Sequence, residues 1–365
     1  MGVKNLEKKI YHLPCAIFFC MLAILFIAFP SYARVCYGDS PDGQDFSSFL
    51  NVARKEIREN PNKYQYGGAK FFAIRRNSLD IGWIYGVFHS TYPLVHYVDR
   101  KIITAILEAN FVLTEESVEE LMTVDFTTML RSIPQSFDGK KIPDIIVDGM
   151  LNANDGEMQV NLQKLGLPDS ILREKTPREI QTMMLNIGCV SEMMKILRKA
   201  LVPEELIQSW AIVFGKPIES LEPLSDSAGL LISESYINTL TKLLPLYVRR
   251  ADTATSLLNF RLLAYATGRI DIVDAIHNSY LVDADDKVPL LNQNINLVYE
   301  RNKKFVVKIQ EAITNNRRPL IVLGAGHLLG EDGIINLLKG KNMEIVPIKL
   351  DLENFLTVKF PDFGR

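Results

Sequence analysis

Apolar and polar positions divide the chain into stretches of different character. Residues 10–33 carry no Asp, Glu, Lys or Arg, and 15–29 is almost wholly apolar. Residues 34–70 are polar and turn-rich, with one helical stretch near 46–59. The runs Phe71-Phe72-Ala73-Ile74 and Ile81-Gly82-Trp83-Ile84-Tyr85-Gly86-Val87-Phe88 flank a polar break at 75–80 and predict a hairpin. Apolar residues at Val95, Val98, Ile102 and Ile106 recur with a helical period over 95–107, and Phe111-Val112-Leu113 reads as a short buried strand.

From about 121 to 292 the pattern changes to long helical periods punctuated by Pro143, Pro168, Pro177, Pro203 and Pro245, with one strand candidate at 216–221. Met183, Met184, Met193 and Met194 sit there at helical spacing, as core filler does. Beyond Asn296 come a helix over 297–313, a continuous apolar strand at 319–323, a loop at 324–330, a helix over 332–338 and a last strand at 344–348. These elements predict an α/β fold: a mixed sheet core formed by the N- and C-terminal parts, with a large helical middle region. The expected organisation is a leader at 1–33, an N-terminal lead-in segment at 34–70 and one domain at 71–365, whose helical region spans about 121–292.

Lys4, Lys8 and Lys9 precede the uncharged run, which closes on Pro30-Ser31-Tyr32-Ala33. A positive start, a short apolar centre and small residues before the break describe a secretory signal peptide, cleaved after Ala33. The run is also long enough for an uncleaved membrane anchor, the one way this chain would engage a membrane. Because the lysines come first, either version leaves the body outside the cytoplasm, periplasmic or secreted. There Cys36 and Cys189 would be able to pair, though a buried inert thiol at Cys189 fits as well. A 47% hydrophobic chain with 23% charged residues is no disordered tail. Its net charge of −2 supplies no basic field for nucleic acid. Nothing in the pattern sets an oligomeric state.

Four histidines follow the leader: His89, His96, His277 and His327. Two share a motif, since Gly86-Val87-Phe88-His89 and Gly324-Ala325-Gly326-His327 each place Gly-x-x-His at the end of a predicted strand. In open α/β sheets ligands gather at the carboxyl ends of strands. Imidazole is the side chain suited to proton transfer near neutrality and the commonest neutral metal ligand. His96, expected within a helix, and His277, among aliphatics, read as structural. Carboxylates at or near strand ends are Glu115, Glu116 and Glu222, each able to ligate a metal or act as a base toward water. Arg301, in an Arg301-Asn302 pair on the late helix, would clamp a carboxylate or an oxyanion. The 324–330 loop also looks like a dinucleotide loop, but only 35 residues follow it, and a histidine inside it would crowd a pyrophosphate.

Together these patches resemble the TraB/GumN family, which includes the animal Tiki proteins. The resemblance is carried by Tyr85-Gly86-Val87-Phe88-His89-Ser90 and by Ala109-Asn110-Phe111-Val112-Leu113-Thr114-Glu115. It continues in Gly215-Lys216-Pro217-Ile218-Glu219-Ser220-Leu221-Glu222, in Glu300-Arg301-Asn302 and in Leu323-Gly324-Ala325-Gly326-His327-Leu328-Leu329-Gly330. It implies an α/β core similar to erythromycin-esterase-like hydrolases and to haem- and iron-binding ChaN proteins. Tiki members are metal-dependent proteases that favour manganese or cobalt.

Carried over, His89, Glu115, Glu222, Arg301 and His327 form the active-site cluster, with His89, Glu115 and His327 as metal ligands. Val87 departs from the family's usual Thr and Asn110 from its common Asp, the first removing a hydroxyl beside the histidine. The expectation is an exported metal-dependent hydrolase, a peptidase acting on a peptide or protein. It would use manganese, cobalt or zinc, with Glu222 as base and Arg301 on the oxyanion; which glutamate ligates and which is the base stays open. The alternatives are a metal-independent esterase-like hydrolase with His89 as base, and a non-catalytic periplasmic protein that sequesters a peptide, haem or metal.

Overall fold

In the computed structural model, which describes residues 46–89, 95–116, 141–152, 156–164, 166–176, 202–223, 241, 244–245, 248–249, 251–281, 289–315 and 317–351, the first described element is helix α1, Ser47–Glu59. Strands β1, Phe71–Arg76, and β2, Leu79–Val87, then pair antiparallel, as the two apolar runs predict. Their turn is Asn77-Ser78, both with positive φ, 51° and 64°. That backbone is what a two-residue hairpin loop needs to match the strand twist.

Helix α2, Arg100–Glu108, and strand β3, Phe111–Thr114, follow. The helix expected from 95 begins five residues later, because Asp99 stops it. With ψ at 150°, Asp99 turns its side chain back to accept the Lys101 N–H at 2.8 Å. Val95 is apolar because it is buried in the core, not because it lies on the α-helix, and His96 lies in the irregular stretch ahead of the helix.

The described middle region is helical, as expected: α3 Asp144–Leu151, α4 Gly156–Lys164, α5 Asp169–Glu174 and α6 Pro203–Val213. The candidate at 216–221 is strand β4, Ile218–Ser220, and helices α7, Ala251–Ala266, and α8, Ile270–Leu281, come after it. The C-terminal part supplies α9 Pro289–Thr314, β5 Pro319–Gly324, a 3-10 turn Ala325–His327, α10 Ile334–Lys339 and β6 Glu344–Pro347. The leader, Cys36, Cys189 and the methionine stripe lie outside the described residues, as does the side chain of His277. No helix among the described residues is long and apolar enough to cross a membrane.

The six strands among the described residues form one mixed sheet in the order β4-β3-β5-β2-β1-β6. β5 enters between β2 and β3 and runs parallel to both, while β4 runs parallel to β3. The N- and C-terminal parts therefore share one sheet. Its two faces bury alternate side chains, as the pleat requires. Phe72, Ile74, Ile84, Phe111, Leu113, Ile321 and Leu323 share a core with residues of α1, α7, α8, α9 and α10. Phe71, Ala73, Trp83, Tyr85, Val112, Leu320 and Val322 face α2 and α6. Central β5 is buried at every position, which explains its unbroken apolar run. Helices α3, α4 and α5 enclose a smaller core of their own with Leu244 and Val248.

Asp99 does two jobs, since its second oxygen accepts the Asp351 N–H at 2.6 Å and so ties the chain beyond β6 to the start of α2. Asp99→Ala is expected to lose about 1–2 kcal/mol of stability, the upper part of the range for a lost cap. A urea-unfolding midpoint reads this directly, and an unchanged midpoint refutes it.

Candidate active site

Four neighbouring parallel strands point their carboxyl ends at one edge of the sheet, and each end delivers one of the predicted residues. His89 stands two residues past β2, His327 three past β5, Glu115 directly after β3 and Glu222 two past β4. The register continues beyond the strands, with Leu221 N–H on Thr114 O at 2.6 Å and Glu222 N–H facing Glu115 O at 3.4 Å.

The two Gly-x-x-His motifs make room for each other. A Cβ on Gly86 would come 2.5 Å from Leu328 Cδ1, so the first glycine admits the loop that carries His327. A Cβ on Gly324 would come 2.8 Å from His89 Nε2 and 3.2 Å from Glu115 Oε1, so the second glycine leaves the space that the first histidine covers. Tyr265, on α7, donates its hydroxyl to Gly86 O at 2.9 Å and packs against Phe88, steadying the segment that leads to His89. Val87 turns the other way, buried in the core under α2 and α6.

Glu115 is the hub. Its Oε1 accepts the Gly324 N–H at 2.5 Å and lies 3.6 Å from His89 Nε2. Its Oε2 accepts Arg301 Nη2 at 2.8 Å and lies 3.6 Å from His327 Nε2. One buried carboxylate thus stands between the two imidazoles. Burial alone would raise its pKa, but His327, His89 and Arg301 outweigh that and hold it well below the ordinary carboxylate range. The neighbouring Glu116 contributes its backbone carbonyl, which accepts from Gln208 Nε2 at 2.8 Å.

Arg301, on α9, bridges Glu115 and Glu222. Its Nε donates to Glu222 Oε2 at 3.2 Å, and its Nη2 bonds Glu222 Oε1 as well as Glu115. Burial works against its charge, yet the two carboxylates raise its pKa above the usual value. For Glu222 burial prevails over the guanidinium, and its pKa is raised. Both oxygens of the expected base are therefore engaged in holding Arg301.

The two histidines differ. The His327 ring is buried against Phe305, and burial pushes its pKa down to about 4. The His89 side chain keeps 48% of its surface exposed, so it is the cluster's open face. Burial lowers its pKa, but Glu115, Glu204 and Glu116 outweigh it and leave the value raised.

Glu204 was not legible as a site residue. It sits in the first turn of α6 directly after Pro203, where acidic residues commonly face the helix N-terminus. Here its Oε1 accepts the Glu115 N–H at 3.0 Å, and its Oε2 lies 3.7 Å from His89 Nδ1. Burial and the nearby Glu115 charge push its carboxyl up to about 8. Asn302, next to Arg301, is fully buried and meets His327 Nδ1 at 2.6 Å.

Among the described residues, no group of three or more His, Cys, Asp or Glu side chains is gathered closely enough to hold a metal ion as it stands. The donor types do suit one. Two imidazole Nε2 atoms border one carboxylate, and Asn302 anchors the far nitrogen of His327, as outer partners anchor ligating histidines. Arg301 is the competitor for these donors, bonded to Glu115 Oε2 and 3.4 Å from His327 Nε2.

An α/β sheet with a His/Glu/Arg cluster at the carboxyl ends of its parallel strands is the class of protein this is. The chain belongs to the TraB/PrgY/gumN family, whose model matches residues 71–347, the span from the start of β1 to the end of β6. Comparison with curated proteins and with solved structures gives no match.

Proposed function

We propose that this protein is a hydrolase that activates water at the strand-end cluster and acts on a peptide or protein substrate outside the cytoplasm. One observation carries the reading: imidazoles more than 200 residues apart in sequence present Nε2 atoms to the two oxygens of a single buried carboxylate. Acid–base work needs such groups in convergence, and hydrolysis uses both a proton acceptor and a stabiliser of negative charge. Arg301 suits the second role because its charge lies beside both imidazoles' shared carboxylate and its guanidinium is anchored by Glu222. The peptide substrate rests on the family resemblance, and export rests on the pattern of residues 1–33.

In the metal-dependent form, His89, Glu115 and His327 would hold manganese, cobalt or zinc, with Glu204 and Asn302 bracing the imidazoles. When bound, such an ion supplies Lewis acidity. A second, metal-free form, with His89 as the base and Glu115 orienting it, is favoured by the half-open ring of His89, which meets Glu115 at Nε2 and Glu204 at Nδ1.

The test is peptide-library cleavage by the full-length chain, with added manganese, cobalt or zinc and with EDTA. His89→Ala and His327→Ala are each expected to slow cleavage by about 10²–10⁴-fold. Cleavage lost in EDTA supports the ion, and cleavage that survives EDTA supports His89 alone. No cleavage in any condition, with a ligand still bound, replaces the hydrolase by a sequestering protein.

A further inference from the structure

We infer that Asn302 is a positioning residue that locks His327 in its Nδ1–H tautomer, so that the Nε2 lone pair is always the one turned to Glu115 and Arg301. The inference rests on the proposed hydrolase only in giving that lone pair a use. Its physical basis is separate.

The orientation of the Asn302 amide is settled by its nitrogen. Nδ2 donates to two backbone carbonyls, His327 O at 3.2 Å and Asp332 O at 2.8 Å, which have no hydrogen to give. Both amide hydrogens are used, and Oδ1 is left facing His327 Nδ1 at 2.6 Å. A carbonyl oxygen only accepts, so Nδ1 must carry the hydrogen. On the ring's other side Arg301 Nη1 stands 3.4 Å from Nε2, and a guanidinium only donates. Glu115 Oε2 favours the opposite tautomer but stands 3.6 Å from Nε2, beyond hydrogen-bond reach, so the 2.6 Å contact with Asn302, seconded by Arg301, decides. The same Asn302 nitrogen pins the carbonyls of residues 327 and 332, fixing the loop in which the imidazole sits. An imidazole with a bare, aimed Nε2 serves as a ligand or a proton acceptor, whereas the opposite tautomer serves as neither at that atom.

The experiment is a long-range ¹H–¹⁵N correlation spectrum of the ¹⁵N-histidine-labelled full-length chain in EDTA, where the two ring nitrogens of each tautomer give distinct shifts. His327→Gln assigns the signals. The wild type is expected to show His327 purely as Nδ1–H; an Nε2–H ring there overturns the inference without any variant. Asn302→Ala removes the acceptor and is expected to yield a mixture of tautomers. Asn302→Asp keeps an acceptor at Nδ1 and is expected to keep the Nδ1–H form. An Asn302→Ala spectrum unchanged from wild type also overturns it.

If cleavage is found, Asn302→Ala is expected to lower kcat about 10–100-fold with KM little changed, the usual effect of removing an outer partner. Absence of cleavage counts against the hydrolase, while the nitrogen shifts still decide the tautomer.

Discussion

Arg301→Ala is expected to be the most destabilising single change at the site, about 3–5 kcal/mol at neutral pH. The wild-type guanidinium lies partly buried between Glu115 and Glu222, which are only 7% and 3% exposed. Removing it leaves two carboxylates facing each other with little water to share the charge, and Glu204 adds a third buried acid close by. The loss therefore depends on pH with a definite sign. Without the cation, Glu115 loses one of the groups that depress its pKa, and Glu222 loses the one that restrains its upward shift. Both then bind protons more readily in the folded chain than before. The gap between wild type and variant is expected to be widest above pH 7 and to narrow as acid neutralises the carboxylates. Arg301→Lys restores a charge but not the planar fork that engages both acids, so it should recover only part of the loss. Urea unfolding at pH 5 and pH 8 reads both effects. A variant within about 1 kcal/mol of wild type at both values would show that this guanidinium is not a structural counter-ion, because surface ion pairs alone are worth that little.

What could be foreseen here was local. Each of the four strand-end groups follows a predicted strand within four residues, so the strand and the group are visible together in the chain. Phe111-Val112-Leu113 announces a strand and Glu115 comes just after it; Leu320 to Leu323 announces another, with His327 beyond. The insertion of β5 between β2 and β3 is different. It depends on which strands pair, and a buried strand with apolar residues on both faces carries no mark of its neighbours.

Glu204 is hidden for a related reason. An acid after a proline at a helix start is ordinary, and only the packing of α6 over the end of β3 brings it to the Glu115 N–H. Asn302 was visible beside Arg301, but its role needs the fold of the 327–332 loop. The helix expected from 95 overran for the opposite reason: the apolar period was real, yet a single capping aspartate outweighed it.

The second large effect is expected in acid, where replacing His327 or Glu204 should tilt stability in opposite directions. Unfolded, a histidine takes up its proton near pH 6.5; folded, His327 does so only at about 4. Its contribution is therefore fully present above pH 6.5 and is lost as pH falls through that interval, by about 3 kcal/mol in total. Glu204 behaves in reverse. Its folded pKa of about 8 lies above the ordinary 4.5, so its contribution is complete below pH 4.5 and is lost as pH rises toward 8. Between pH 4.5 and 6.5 one slope offsets the other, and these two groups together leave the wild-type midpoint almost flat. His327→Gln removes only the first slope and is expected to gain stability relative to wild type as the solution is acidified. Glu204→Gln removes only the second and is expected to lose it. Urea midpoints at half-unit steps in EDTA measure both differences. If the two variants shift the same way, the burial of His327 and the proton held by Glu204 do not govern the site's response to acid. Opposite shifts would mean that the β5 loop and the first turn of α6 balance each other across Glu115, one disfavouring a proton and the other retaining it.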